Sequence, residues 1–542
     1  MTGNHVRFLL IQVLMVIGLV FAASVIRAQD LSQWIPEGSM TPEEIQSLMS
    51  KVELFMLDNE PYAKVTLKDI LQYGLERSID LKALKLAEQI ARKSLALAQN
   101  KDFPVLISSL GWNNQISSGS SSATSFMTAS GSEILGFSST WTEKLSNGIE
   151  YSMTYQESRA HARALVIAKE GDNSEPSAYS DWLDKSSFSG SITVPLSKDS
   201  GEINQLSERI AEVSVQQSEL DTEQSELSLL QEIGTTYWDM VGVVEAIEVQ
   251  KAAVQLSENL LADNKARLQA GVVNETDVQI SETQLVREKQ ALFSQQANAK
   301  RIEDVVKVAL DLDQVNVGLY PKDKPQIKSY ENDQQKLVQK VYEKDITLKK
   351  LNAAMLIYQY NMLDVDNQQK SDIDLVFGYA MNGYSSDPLK PVQYYGDTNL
   401  HGPSINLVWT VPFNGTLLSE KQQQIIQERE QLQLRIESQK SRLRIQLHSV
   451  LRSLALSTRE IEFANTTVRL AKRQLQDEIQ KMKLGKSTTF QVSQFQQQAL
   501  TAIQQESAAR INFEKTYLSL LVLTHDLYEV FALESPYHHQ PK

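Results

Sequence analysis

The 542-residue chain has no cysteine, and its 67 Asp and Glu outweigh 53 Lys and Arg, for a formal charge of −14. No disulfide and no cysteine-borne lipid anchor can form, so a chain of this length must be held by burial or by association with other chains. The acidity makes nucleic acid a poor partner, because its phosphates would repel the chain.

Residues 1–28 read as a secretory signal peptide. Arg7 precedes a sixteen-residue apolar run from Phe8 to Ala23, and the small residue Ala28 offers a cleavage point. A membrane anchor is the alternative, but the run falls short of the roughly 20 residues a spanning helix needs. Cleavage would remove Arg7 and Arg27 and no acid, moving the charge from −14 to −16. No later apolar run approaches spanning length, so any membrane crossing must be made by strands.

After an extended segment over 29–65, apolar residues at three and four spacings predict a helix over about 66–101. From Val105 the texture changes to short alternation with Trp, Tyr and Ser, which predicts strands over about 104–196. The tract SSGSSSATSFMTASGS, 117–132, has the composition of an exposed loop. A long helix is predicted over 199–269, where Leu206, Val213, Leu220, Leu227 and Val241 form the seven-residue stripe of a coiled coil. Gly271 ends it, and a further helix follows over 275–310.

The second half repeats this program. IDLKAL at 79–84 matches ITLKKL at 346–351, an offset of 267; ITVPL at 192–196 matches WTVPF at 409–413, an offset of 217. Gly271 and Gly485 match at 214, so the helical parts agree in length while the first half carries 50 extra residues among its strands. The expected organisation is a first repeat over 66–311, a linker over 312–334, and a second repeat over 335–530. The second repeat holds a helix, strands about 371–413, a long helix 415–483 and a helix 489–525, and a disordered tail follows over 531–542.

A single helix over 199–269 would reach roughly 105 Å and could not bury its stripe alone. Each long helix should therefore turn back at its glycine and pack against the shorter helices of its half, with the strands emerging at the far end. Those strands are about the right length for membrane crossings and hold four of the six tryptophans, Trp112, Trp141, Trp182 and Trp409. A soluble sheet domain is the alternative. A few strands cannot close a membrane barrel, so several chains would have to combine.

The duplicated helix and strand plan, the segments GVVNETDVQ and GKSTTFQV, and the segments ending at Pro195 and Pro412 resemble the TolC family of outer-membrane efflux and secretion proteins. The resemblance spans about 66–530 and implies an α+β membrane protein, located in the cell outer membrane and reaching into the periplasm. It implies a homotrimer in which helical hairpins form a periplasmic α-barrel tunnel and four strands per chain form one shared β-barrel among outer-membrane lipids. Its implied partners are a periplasmic adaptor and an inner-membrane transporter of RND, ABC or MFS type; no cofactor or metal is implied.

By position the resemblance places adaptor docking at Ala270, Gly271 and Val272 on the first hairpin and at Leu484, Gly485 and Lys486 on the second. It places the entrance gate at Asp277, Met482 and Ser487, with the constriction at Gln491 and Gln494, where glutamine would set a weaker field for cations than a carboxylate ring. Met482 and Ser487 are not the residue types that would tie Asp277, though Lys483 or Lys486 stand nearby in sequence. Trp112, Trp141 and Trp409 are the expected membrane-interface aromatics. The extra 50 residues, with a hairpin near 140–160, either extend the sheet outside the membrane or enlarge the barrel to eighteen strands.

No enzyme is expected: the seven histidines show no metal-ligand spacing, and there is no phosphate loop or nucleophile segment. A periplasmic coiled-coil scaffold or adaptor outside the membrane is the competing expectation, and it leaves the aromatic strands without a use.

Overall fold

The computed structural model describes residues 53–57, 60–121, 126–167, 182–312, 317–331, 333–386, 391–396, 401–411, 413 and 415–534. The expected signal peptide, residues 29–52, Pro412 and the tail beyond 534 lie outside the described residues. In chain order the elements are β1 (Glu53–Leu57), β2 (Glu60–Val65), α1 (Leu67–Arg77), α2 (Ile79–Gln99), β3 (Val105–Ser121), β4 (Phe126–Lys144), β5 (Glu150–Ile167) and β6 (Leu183–Pro195). They continue with α3 (Leu206–Gln269), α4 (Glu275–Ala309), β7 (Gly318–Pro321), α5 (Gln334–Lys344), α6 (Ile346–Gln369), β8 (Asp372–Ser385), β9 (His401–Thr410), α7 (Gly415–Lys483), α8 (Thr489–Thr524) and α9 (Leu527–Phe531).

Two units are described separately. The smaller, among the described residues, holds 53–57, 60–65 and 317–322 and is a three-stranded sheet in the order β1-β2-β7. β1 and β2 pair antiparallel, while β2 and β7 pair parallel from Tyr62 opposite Gly318 to Val65 opposite Pro321. A strand thus comes from the segment expected to be a linker. Its pairing partner lies far away in sequence, so no local pattern marks it.

The larger unit holds the helices and a six-stranded antiparallel sheet in the order β3-β4-β5-β6-β8-β9. The seven-residue stripe of α3 is buried at Leu206, Val213, Leu220, Leu227 and Val241. Gly234 continues that stripe against α8, and a Cβ there would run into the Leu518 side chain. Large side chains at most stripe positions and none at Gly234 let α3 and α8 interlock. Tyr237 and Phe513 are fully buried near this crossing. The Tyr237 hydroxyl donates to Asp323 at 2.8 Å, so the buried ring keeps its polar end satisfied.

The helices expected over 66–101 and in the matching place of the second half are each divided in two. Ser78 and Asp345 leave helical geometry, at ψ 123 and ψ 122, and each caps the next helix by accepting the amide of Leu81 (3.4 Å) or Leu348 (2.8 Å). The IDLKAL and ITLKKL segments therefore follow the same kind of cap in both halves.

One expectation about the strands is corrected and another is given its place. The extra residues, expected to add a hairpin near 140–160 to the four strands the resemblance implies, form β4 and β5, paired without a break from Met127 opposite Ile167 to Lys144 opposite Glu150, so that the sheet has six strands. The tract expected to be a loop over 117–132 is strand up to Ser121 and again from Phe126, paired from Ser117 opposite Ser130 to Ser121 opposite Phe126. Backbone pairing with a neighbouring strand overrides its loop-like composition. Among the described residues the sheet is open, with β3 and β9 at its edges, and no helix is long and apolar enough to cross a membrane.

Candidate functional site

Both hairpin tips are built the same way. Gly271 lies at φ +72 and Gly485 at φ +69, left-handed geometry that an L side chain resists. At the first tip, Gly271 N–H donates to Leu268 O (3.0 Å) and Val272 N–H to Arg267 O (2.9 Å). At the second, Gly485 N–H donates to Met482 O (3.0 Å) and Lys486 N–H to Lys481 O (2.8 Å). These paired bonds make a Schellman cap, which satisfies the last carbonyls of α3 and α7.

The return helices begin on matching capping boxes. Asn274 accepts the amide of Asp277 (3.0 Å) while the Asp277 carboxylate accepts the amide of Asn274 (3.3 Å); Thr488 and Gln491 exchange the same bonds at 3.3 and 3.2 Å. Asp277 and Gln491 thus share a backbone-capping task despite their difference in charge. No ion pair joins Asp277 to Lys483 or Lys486 among the described residues.

The remaining expected positions separate. Ala270, Gly271, Gly485 and Lys486 are exposed, and Val272 and Leu484 present apolar side chains at 68% and 71% exposure. Met482, expected at the gate, is only 2% exposed and packs with Leu260 and Val492 between the two hairpins. Ser487 donates to Glu478 and to Gln491 Oε1 (3.1 Å). The Ser487 hydroxyl, then the Lys481 ammonium 3.0 Å away, hold the Glu478 carboxyl below the usual carboxylate range. Gln494 is exposed and lines a groove of about 1180 Å³ between α4 and α8, together with Gln279, Gln284 and Gln498.

A set of buried polar residues fastens the two hairpins and escapes the sequence expectations. Gln250, Ser257 and Asn264 lie seven residues apart on α3, as do Ser281 and Glu288 on α4, and Thr489 and Gln496 on α8; all are buried. Asn264 Nδ2 donates to Ser281 Oγ (2.6 Å) and to Thr489 Oγ1 (2.9 Å), tying the first hairpin to the second. Gln496 Nε2 donates to Ser257 Oγ (2.9 Å), and Gln250 Nε2 to Glu288 Oε2 (2.5 Å). Arg267 reaches across to Met482 O at 3.0 Å. The available signal was the heptad spacing, which repeats polar residues where a coiled coil ordinarily repeats apolar ones.

At the sheet, residues opposite one another across the register share a face. One row runs Leu106, Trp141, Met153, Gly190, Tyr379, Pro403, and the row below it on the same face runs Glu143, Tyr151, Ile192, Phe377, Ile405. The row between them, on the other face, runs Val105, Thr142, Ser152, Ser191, Gly378, Ser404, and the next on that face runs Ile107, Thr140, Thr154, Ser189, Ala380, Gly402. Through these rows one face is aromatic and aliphatic apart from Glu143, and the other is dominated by hydroxyls and small residues; farther along, Glu157, Arg159 and Asp184 share the first face. Trp112, Trp141 and Trp409 all lie on the apolar face; the Trp112 indole donates to Glu133 at 3.0 Å, and Trp409 is 69% exposed.

The chain matches no protein-family model and no curated protein sequence. Among solved structures it is similar to the outer-membrane channel OprN, at 12% identity and TM-score 0.60 over 84% of this chain and 89% of that one. It is similar also to the CmeC outer membrane channel of Campylobacter jejuni, at 11% identity and TM-score 0.59, covering 87% and 86% of the two chains. The outer membrane protein VceC of Vibrio cholerae matches at 12% identity and TM-score 0.58, with coverage of 84% and 95%. With its long helical hairpins and two-faced antiparallel sheet, the chain has the fold of these outer-membrane channels.

Proposed function

We propose that the chain is the outer-membrane channel of a tripartite efflux pump or type I secretion system. In this role it is a passive exit duct: three copies close the sheets into a barrel in the outer membrane, and their hairpins extend as a tunnel into the periplasm. A periplasmic adaptor docks at the tips around Gly271 and Gly485 and links the tunnel to an inner-membrane transporter of RND, ABC or MFS type.

The sorting of the sheet into two faces carries this proposal. An apolar face as exposed as Ile405 (73%) and Trp409 (69%) is costly against water and suits lipid, while a hydroxyl-lined face suits an aqueous lumen. The sheet's open edges need partners in a bilayer, and further copies of the chain supply them. A scaffold outside the membrane would leave the apolar face uncovered. Cell fractionation tests the proposal: a heat-modifiable trimer in the outer-membrane fraction is expected, and release of the protein by osmotic shock refutes it.

A further inference from the structure

We infer, on the channel reading above, that all six strands cross the membrane, so that three copies join edge β3 to edge β9 and close an eighteen-stranded barrel. The inserted hairpin carries its own share of the lipid-facing surface. Phe137 and Trp141 on β4, and Met153 and Tyr155 on β5, stand on the apolar face, while Thr140 and Thr154 bond to each other across the polar face at 3.1 Å. A hairpin standing in water outside the bilayer has no use for this alternation.

The position of the apolar band points the same way. On β9 the band runs from Ile405 to Trp409, centred on Leu407, which lies opposite Leu375 of β8. On β3 it runs from Leu106 to Trp112, centred on Ser109, which the register carries through Ser138, Gln156 and Ser187 to Asn382 of β8. The band therefore climbs seven residues along β8, from Leu375 to Asn382, while crossing five strand spacings. At about 3.3 Å per residue and about 4.8 Å per strand, a bilayer plane drawn through the band meets the strands at a tilt of about 45°. Strands of membrane barrels tilt by roughly 35–45°. The slope runs through β4 and β5, so the insertion lies within the band.

The edges suit head-to-tail closure by a second copy. With six antiparallel strands, β3 and β9 run in opposite directions, so β9 of one copy can extend the antiparallel ladder of β3 in the next. Because barrel width grows roughly in proportion to strand number, the pore would be about 1.5 times as wide as one built from four strands per chain.

The cysteine-free chain makes the test direct. Single cysteines at Phe137 and Met153, at Thr140 and Thr154, and at the control positions Phe377 and Ile405 are spin-labelled in the reconstituted full-length protein. Accessibility to oxygen, which concentrates in lipid, is compared with accessibility to an aqueous nickel chelate. Oxygen accessibility at Phe137 and Met153 equal to the controls, with chelate accessibility at Thr140 and Thr154, supports eighteen strands. Water exposure at Phe137 and Met153 beside lipid-exposed controls overturns the inference and leaves the channel standing. Water exposure at the controls as well overturns the channel reading itself. A cysteine at Ser109, combined in turn with cysteines along His401–Thr410, tests the seam: interchain disulfides are expected, and only intrachain product, or none along the series, overturns it.

Discussion

Replacing Gly485 by alanine isolates the backbone task of a hairpin tip. Gly485 lies at φ +69, and an added Cβ would meet no atom within 4 Å, so the change introduces left-handed strain without a clash. Holding an L side chain in that region costs about 1–2 kcal/mol. The turn, held by Gly485 N–H to Met482 O and Lys486 N–H to Lys481 O, should open roughly 5- to 30-fold more often in Gly485→Ala. Lys483 and Lys486 flank the turn and are exposed, so limited trypsin digestion reads the opening wherever reclosing outpaces cleavage. Cleavage there is expected to accelerate by that factor in Gly485→Ala and by less in Gly485→Asn, since asparagine tolerates left-handed geometry better. Unchanged cleavage in Gly485→Ala, or an asparagine variant as labile as the alanine one, refutes the strain reasoning. Export lost in both variants without faster digestion would instead assign the glycine to docking.

Asn264→Ala removes the donor shared by Ser281 and Thr489 and should lower stability by about 1–3 kcal/mol, read as a drop in the midpoint of helix loss by circular dichroism. A double-mutant cycle with Thr489→Val should show coupling of roughly 0.5 kcal/mol or more, and strictly additive losses contradict a link between the hairpins. Glu478 gives a pH signature. Its folded carboxyl is held below the ordinary value of 4.5, so its contribution is complete above that pH and is lost as pH falls through the lower folded value. Amide exchange at the second tip, corrected for its intrinsic pH dependence, should speed up below about pH 4.5 in the native protein and lack that step in Glu478→Gln. Identical profiles contradict it.

What could be read along the chain was set by contacts within a few residues. Helix periodicity placed the stripe from Leu206 to Val241, and the two glycines marked caps whose bonds span at most five residues. The capping boxes of Asn274 with Asp277 and Thr488 with Gln491 follow the same local rule, so the offset of 214 matched two turns of one construction.

The tertiary structure decided what depends on distant partners. Strand pairing is nonlocal, so only the register could show that the tract around Ser117 and Ser130 is sheet, or that β7 joins β2. Met482 has the same local pattern whether its side chain is open to solvent or packed, and only the fold brings Leu260 and Val492 against it. Asn264 reads locally as one more polar residue on a long helix, and Ser281 and Thr489, brought alongside it by the fold, make it a fastening. Sequence alternation gave each strand two faces. Which face of one strand continues which face of the next is fixed by hydrogen-bond register, since a slip of one residue would exchange them.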